Sequence, residues 1–338
     1  MFDTIIFPAF LIGGIGFVFG YILAYVAKIF YVEVNPKIEQ IKEILPGANC
    51  GACGFPGCSG YAESIVEKDC AIDLCPPGGV DIMNKIAELM GKTTTNLVEK
   101  IAVINCNSGG YSNTNIKYEY FGIKSCKAAT LISEGPNQCR FGCVSQNDCI
   151  AACKFGAISL DYDGMRSIDK NKCNGCSACT NVCPRNLIYL VPKRNSVYIL
   201  CSSKEKGVTT KKNCGSKYSC IGCGLCSKKC PFDAISLENN LAKIDYNKCE
   251  NCGLCVIHCP TKVIFDTKKR GKAVIDAHLC IGCTICTKKC ITKCISGELK
   301  KAHEVDRDNC IGCELCVEKC PKNAIGIDHY TNPSLKSG

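Results

Sequence analysis

The sequence predicts an α+β chain made of three kinds of part: one N-terminal transmembrane helix, a small four-cysteine domain, and tandem modules built from paired cysteine blocks. Three observations predict it. Cysteine supplies 34 of the 338 residues. Five blocks repeat Cys-x2-Cys-x2-Cys-x3-Cys without variation, starting at Cys173, Cys220, Cys249, Cys280 and Cys310. Residues 4–27 carry no charge at all. Structural disulfides need no fixed local interval, so a short spacing repeated this faithfully points to metal clusters and away from a disulfide scaffold.

The first element is the uncharged run. Its 24 residues are rich in Ile, Phe, Val and Leu and are long enough to cross a bilayer with some tilt. Its length, the acidic Asp3 before it and the lack of an Ala-x-Ala site argue against a cleaved signal peptide. Lys28 and Lys37 follow the run while only Asp3 precedes it, a weak bias that places the following domains in the cytoplasm. The expectation is a single-pass protein of the cell (inner or cytoplasmic) membrane, with the bilayer as one partner and the cysteine-rich part on the cytoplasmic side. Gly13, Gly16 and Gly20 fall on one helix face, which either admits a second helix or reflects the ordinary glycine content of membrane helices. No ionisable group lies within the run, so an ion must cross the membrane through other subunits.

Next come Cys50, Cys53 and Cys58 on a glycine-rich loop, with Cys75 further on, spaced Cys-x2-Cys-x4-Cys-x16-Cys. Three close thiolates on such a loop suit three corners of a cubane, because glycine lets the backbone curl and turn its amides toward sulfur. A short amphipathic stretch, 37–45, precedes the loop, and helices are expected at 59–68 and 80–90. Four-cysteine zinc sites use two separated Cys-x2-Cys knuckles, so the triplet favours iron and sulfur over zinc. Cys70 falls outside the pattern.

Cysteine blocks then start at 139, 173, 220, 249, 280 and 310. A bacterial-type, ferredoxin-like two-cluster module folds from two such blocks, and the fourth Cys of each ligates the cluster held by the other. The longest interval, between 173 and 220, sets the pairing frame. The first module is expected to hold one cluster on Cys139, Cys143, Cys149 and Cys183 and another on Cys173, Cys176, Cys179 and Cys153. The second uses Cys220, Cys223, Cys226, Cys259 and Cys249, Cys252, Cys255, Cys230. The third uses Cys280, Cys283, Cys286, Cys320 and Cys310, Cys313, Cys316, Cys290. Each block is followed by a strand start, at Ile158, Ile188, Ile235, Ile264, Ile295 and Ile325, with hairpin turns at Asp163-Gly164 and Asn239-Asn240. Two blocks depart from the pattern. The one at 139 is stretched and has Lys154 where proline normally stands; the one at 280 has Ile291 there and an extra Cys294.

These elements divide the chain into a transmembrane anchor (1–30), a four-cysteine [4Fe–4S] domain (31–95), a first ferredoxin module with flanking strands (96–215), a second (216–268), a third (269–330) and a tail (331–338). Seven clusters account for 28 cysteines. Of the remainder, Cys106 and Cys201 end apolar strands, at 101–106 and 197–201, and are followed by Cys126 and Cys214. If the two strands lie side by side, these four thiols either hold an eighth cluster or pack as small apolar groups; the sequence leaves both open. The formal charge of +10 is offset by the clusters: at about −2 each, seven would bring the loaded chain to about −4. With no Trp and no aromatic residues interleaved with basic ones, nucleic acid is not an expected partner. No Gly-x-Gly-x-x-Gly after a strand and no Walker loop is present, which argues against nucleotide binding in this chain. Four-cysteine clusters have no open coordination site, so the chain moves electrons and makes no bonds; it has no catalytic residues.

Residues 47–79 resemble the small iron–sulfur domain shared by the iron–sulfur B-subunit of the Rnf complex and the large subunit of corrinoid iron–sulfur proteins. The latter needs a cobalamin-binding barrel, for which the chain has no room. A membrane helix, this domain and ferredoxin repeats in that order are similar to the Rnf B-subunit over nearly the whole chain. The resemblance implies a membrane-anchored electron-transfer subunit of an ion-translocating ferredoxin:NAD+ oxidoreductase. Such a subunit takes electrons from reduced ferredoxin and relays them to membrane and peripheral subunits, and only the whole complex is an enzyme, a translocase of Na+ or H+. The family shows a similar stretch in its first block, which implies that a cluster is retained there. Lys228-Lys229 and Lys288-Lys289 either dock an acidic ferredoxin or balance buried cluster charge, the second reading being favoured. The alternative is a polyferredoxin of a membrane-bound hydrogenase or formate dehydrogenase, which would lack the Cys50 domain.

Overall fold

The computed structural model describes residues 2–30, 35–94, 98–108 and 114–329; the expected tail at 331–338 lies outside them. Helix α1 (Phe2–Ile29) contains the apolar stretch Phe10–Ile29, with a mean hydropathy of 2.1 and none of it buried against the rest of the chain. Its 20 residues rise roughly 30 Å, the thickness of a hydrocarbon core. A stretch apolar on every side, with none of Phe10–Ile29 packed against the rest of the chain, is suited to lipid or to partner helices.

Three short helices form the next unit: α2 (Pro36–Ile44), α3 (Gly57–Glu67) and α4 (Gly79–Met90). α3 and α4 coincide closely with the two helices expected here, and the amphipathic stretch at 37–45 forms α2. Asn35 caps α2 by accepting from the Lys37 amide at 3.0 Å, and Pro36 fills the first helical position, where no amide donor is needed. α4 ends on Gly91 in the left-handed conformation. Ile38 and Ile41 of α2, Tyr61 and Ile65 of α3, and Met83, Ile86 and Ala87 of α4 recur at helical spacing and close one apolar core. Burying each such aliphatic side chain stabilises the unit by about 1.5–3 kcal/mol.

Among the described residues, the remainder combines short helices of four to seven residues with six two-stranded antiparallel sheets. The strands are β1 (Lys100–Ile104), β2 (Ile158–Leu160), β3 (Arg166–Ile168), β4 (Ile188–Pro192), β5 (Val197–Ile199), β6 (Ile235–Glu238), β7 (Leu241–Ile244), β8 (Ile264–Asp266), β9 (Lys272–Ile275), β10 (Ile295–Ser296), β11 (Glu304–Val305) and β12 (Ile325–Asp328). All six expected strand starts are present, and the isoleucine opening each is buried. One plan occurs three times. An inner hairpin pairs β2 with β3, β6 with β7, and β10 with β11, while the outer strands pair β1 with β4, β5 with β8, and β9 with β12. At Asn239-Asn240 both residues have positive φ, 48° and 61°, as the two-residue turn joining Glu238 to Leu241 requires.

The strands at 101–106 and 197–201 do not pair with each other: β1 runs against β4, and β5 against β8. β5 therefore belongs with the second unit, not with the flank of the first where the sequence division put it. Its pairing is decided 65 residues downstream, through Ile199 and Ile264, beyond the reach of any local pattern. The two segments do meet just past their ends, where the Asn107 amide donates to the Leu200 carbonyl at 3.1 Å.

Polar contacts string the units together in chain order. Lys154 Nζ reaches the Ala48 and Asn49 carbonyls at 3.2 Å each. The Tyr189 and Tyr246 hydroxyls share a hydrogen bond of 3.0 Å. Arg270 donates to Asp266 at 2.6 Å, to the Asn251 carbonyl at 2.6 Å and to the Gly312 carbonyl at 3.1 Å, tying the second unit to the third.

Candidate metal centres

Each regular cysteine block is a loop with two left-handed turns in it. The residue two after the first Cys has φ between 52° and 70° in all five: Gly175, Gly222, Asn251, Gly282 and Gly312. The residue after the second Cys does the same, from 60° to 79°, at Ser177, Gly224, Gly253, Thr284 and Glu314. This alternation turns successive amides inward to form a concave donor surface suited to an anionic group. Glycine is required where the loop grazes a strand: a Cβ on Gly312 would lie 2.1 Å from the Gly271 carbonyl oxygen.

The thiols receive amide donors from fixed directions. The fourth Cys of a block accepts from the residue four later: Ala157 to Cys153, Leu187 to Cys183, Ala234 to Cys230, Cys294 to Cys290 and Ala324 to Cys320, all at 3.3–3.4 Å. Outer strands serve first cysteines, the Ala102 amide reaching Cys173 Sγ at 3.3 Å and Ala273 reaching Cys310 Sγ at 3.5 Å.

Cavities of similar size lie behind these loops. One of about 330 Å³ is lined by Cys153, Cys173, Cys176 and Cys179. Others take Cys220, Cys223, Cys226 and Cys259 (about 350 Å³), Cys280, Cys283, Cys286 and Cys320 (about 350 Å³), and Cys290, Cys310, Cys313 and Cys316 (about 310 Å³). In each, three cysteines come from one block and its neighbour supplies the fourth, with Cys294 a fifth thiol lining the last of them. Cys249, Cys252, Cys255 and Cys230 gather likewise: burial pushes the Cys255 thiol up to about 12, and the other three add to the rise. Buried Cys294 stands 3.4 Å from Cys290 and lines the same cavity.

The first module differs. Its larger cavity, about 410 Å³, is lined by Cys143, Cys149 and Cys183, as the sequence implies, but the fourth thiol is Cys126 and not Cys139. Cys139 lies elsewhere, among Phe141, Gly142, Arg185, Glu205 and Cys214.

In the four-cysteine unit, the Asn49 side chain accepts from the Cys58 amide at 2.8 Å and closes the loop onto the start of α3. Gly57 has φ +90°, and a Cβ there would sit 2.8 Å from that Asn49 oxygen. Buried Tyr61 donates to the Ala71 carbonyl at 2.9 Å and accepts from the Leu74 amide at 3.2 Å, holding the strand of chain that delivers Cys75. Burial raises the Cys75 thiol to about 11, and Cys53, Cys50 and Cys58 raise it further through their charge. Cys70 packs in the core of this unit.

His303 is an unexpected neighbour of the third module's thiols. It is 2% exposed, with Nδ1 3.8 Å from Cys280 Sγ. Nothing in the spacing marks it, because its approach is made by the β10–β11 hairpin.

Among the described residues, no three His, Cys, Asp or Glu side chains gather so as to hold a single metal ion. The thiols instead ring cavities in fours, with amides aimed at sulfur. That is the donor set of an iron–sulfur cluster: soft ligands, no open position, and hydrogen bonds that set the potential.

The site and fold define an iron–sulfur electron carrier with several cubane centres. Comparison with known families agrees: an Fe-S cluster family matches residues 45–77, and 4Fe-4S dicluster domains match 273–327, 172–234 and 219–263. The match at 172–234 bridges the blocks at 173 and 220, whereas the strand pairing and cavities divide the chain between them. The chain is 41% identical to the B-subunit of the Na+-translocating ferredoxin:NAD+ oxidoreductase complex of Acetobacterium woodii, over 74% of each protein. It is 36% identical to the B-subunit of the ion-translocating oxidoreductase complex of Methanosarcina acetivorans, over 70% of this chain and 89% of that one. It is 39% identical to the B-subunit of the proton-translocating ferredoxin:NAD+ oxidoreductase complex of Clostridium ljungdahlii, over 70% and 82%. The chain belongs to the B-subunit family of the Rnf ion-translocating oxidoreductase complexes.

Proposed function

We propose that this chain is the membrane-anchored electron relay of a ferredoxin:NAD+ oxidoreductase complex, accepting electrons from reduced ferredoxin and delivering them to membrane subunits that move Na+ or H+. The observation that carries this reading is the serial placement of four-cysteine groups. The Cys176 thiol is raised first by burial and then by charge on Cys50 of the neighbouring unit. Cys255 feels Cys226 across the second module, and Cys313 feels Cys252 across the join to the third. Ligand groups of the membrane-proximal unit thus adjoin those of the first module, and those of the second module adjoin those of the third.

The ligand sets are Cys50, Cys53, Cys58 and Cys75 beside the membrane, and the paired sets of the second and third modules in the frame given above. The first module contributes Cys173, Cys176, Cys179 and Cys153, together with a group that includes Cys143, Cys149 and Cys183. When bound, a [4Fe–4S] cluster takes up and releases one electron. The chain supplies the thiolates, the inward-turned amides that steady negative charge, and the apolar walls that keep water from sulfur. Helix α1 tethers the row to the membrane with the iron–sulfur domains on the cytoplasmic side. The exposed pairs Lys228-Lys229 and Lys288-Lys289 flank two of the cavities and balance their charge.

Anaerobic isolation of the complex from membranes through a tag on this chain tests the reading. Co-purification of the membrane subunits, at least about 28 Fe per chain and essentially no Zn are expected. Recovery of the chain alone from the soluble fraction, or with zinc in place of iron, would overturn it.

A further inference from the structure

The irregular block of the first module becomes regular when read one cysteine later. Cys143-Val144-Ser145-Gln146-Asn147-Asp148-Cys149, followed by Cys153, has the standard spacing with Gln146 where the second cysteine belongs. The backbone agrees: Ser145 and Asn147 have φ of 67° and 68°, at the two positions that are left-handed in every regular block.

Cys126 occupies the corner that Gln146 leaves. In regular blocks the second cysteine accepts from the amide two residues on, Ala178 to Cys176, Leu254 to Cys252 and Leu315 to Cys313. Here the corresponding amide, that of Asp148, is directed at Cys126 instead. The Asp148 carboxylate clamps the newcomer in place, accepting from the Cys126 amide at 2.8 Å and from Ser125 Oγ at 3.0 Å.

Cys139 is thereby released, and it does not stand alone. The Cys143 amide donates to Cys106 Sγ at 3.4 Å, Asn107 is bonded to Leu200 at 3.1 Å, and Ser202 Oγ donates to the Phe141 carbonyl at 2.8 Å. Asn213 reaches Glu205 at 3.0 Å, and Glu205 pairs with Arg140 at 3.8 Å. These bonds lace together the four segments that carry Cys106, Cys139, Cys201 and Cys214. Neighbouring thiols feel one another's charge, Cys106 that of Cys201, Cys201 that of Cys214, and Cys214 that of Cys139. The thiols also have the amide donors of ligand cysteines: Phe141 and Gly142 to Cys139, Ser203 to Cys201, Ser216 to Cys214. Half-buried Arg185, bonded to the Cys139 carbonyl at 3.0 Å, sets its cation beside Cys139, Cys106 and Cys143.

We infer that Cys106, Cys139, Cys201 and Cys214 hold an eighth [4Fe–4S] cluster between the first and second modules, and that Cys126, Cys143, Cys149 and Cys183 hold the seventh. The inference rests on the iron–sulfur reading above and deepens it. The bridging set lies against Cys143 on one side and, through Cys201, against Cys220 on the other. It closes the gap in the row where the first module meets the second. Only Cys70 and Cys294 then stay outside the ligand sets.

The complex is isolated anaerobically in three forms: unchanged, with Cys201→Ser and Cys214→Ser together, and with Cys126→Ala. The unchanged form should carry about 32 Fe, and the double variant about 28 with the remaining clusters still reducible by EPR. Cys126→Ala should lose one to four Fe and show a [3Fe–4S] signal or none from that site. An unchanged count in the double variant overturns the bridge, and an unchanged count in Cys126→Ala overturns the ligand exchange. If the double variant sheds neighbouring clusters as well, the unchanged form decides: about 32 Fe supports the bridge, and about 28 refutes it. Zinc instead of iron would fail the underlying reading rather than this one.

Discussion

The third module and the first follow one plan with different parts. In the third, each block supplies three cysteines to its own cavity and the fourth to its neighbour's, and a short hairpin separates them. In the first, the block containing Cys173 is served by its outer strand just as its counterpart at Cys310 is, through Ala102 and Ala273. The other block has lost its second cysteine, yet Ser145 and Asn147 keep the left-handed turns of a complete one. The difference teaches that the loop conformation is a property of the backbone, and that a thiol can be delivered to it from elsewhere in the chain. The 106–142 segment is what the first module adds in order to do so.

Removing the metal should separate the regions most sharply. Among the described residues the modules have only two-stranded sheets, and their apolar clusters are shared with cysteine, as where Cys220, Cys226 and Cys255 pack with Val197 and Ile235. Small scaffolds of that kind depend on a metal staple. Extended chelation of the reduced protein is expected to abolish the strand signal in circular dichroism while helices α2 to α4 persist on their own core. Loss of both together would show that the four-cysteine unit is no more independent than the modules.

A smaller effect distinguishes two glycines within the regular blocks. Gly312→Ala puts a Cβ against the Gly271 carbonyl at positive φ, and should cost more than about 3 kcal/mol and empty the third module of the cluster on Cys310. Gly224 has positive φ but open space around it, so Gly224→Ala should cost only about 1–2 kcal/mol and keep its iron. Thermal unfolding and iron content check both, and equal losses would refute the argument from close approach.

The smallest expected change is the most specific. Gln146→Cys restores the standard block, so adding it to Cys126→Ala should return iron to the unchanged level with little effect on melting temperature. Failure of this rescue, with the fold intact, would mean that Gln146 does not stand in the second cysteine's place.

Much of the molecule was legible because its signals are local. The uncharged run became α1, the runs at 59–68 and 80–90 became α3 and α4, and each Ile after a block opened a strand. Asn239-Asn240 turned as expected because asparagine tolerates the left-handed region on both sides of such a turn. What the sequence hid depends on contacts between distant segments. β5 reads as an apolar strand with no indication that its partner is β8. Cys126 lies 17 residues before Cys143, outside any spacing rule, and the intact-looking Cys139 stands in its place in the linear pattern. The one available clue was Gln146 at the standard interval from both Cys143 and Cys149. His303 reaches Cys280 only because a hairpin carries it there.

The proposed relay requires electrons to reach the membrane subunits through the unit next to helix α1, that of Cys50. Its direct test is ferredoxin-dependent NAD+ reduction by membranes carrying Cys53→Ser and Cys58→Ser together, with EPR of the remaining clusters recorded on the same sample. The clusters of the three modules should still become reduced by ferredoxin while NAD+ reduction stops. Undiminished NAD+ reduction in that variant would contradict the claim.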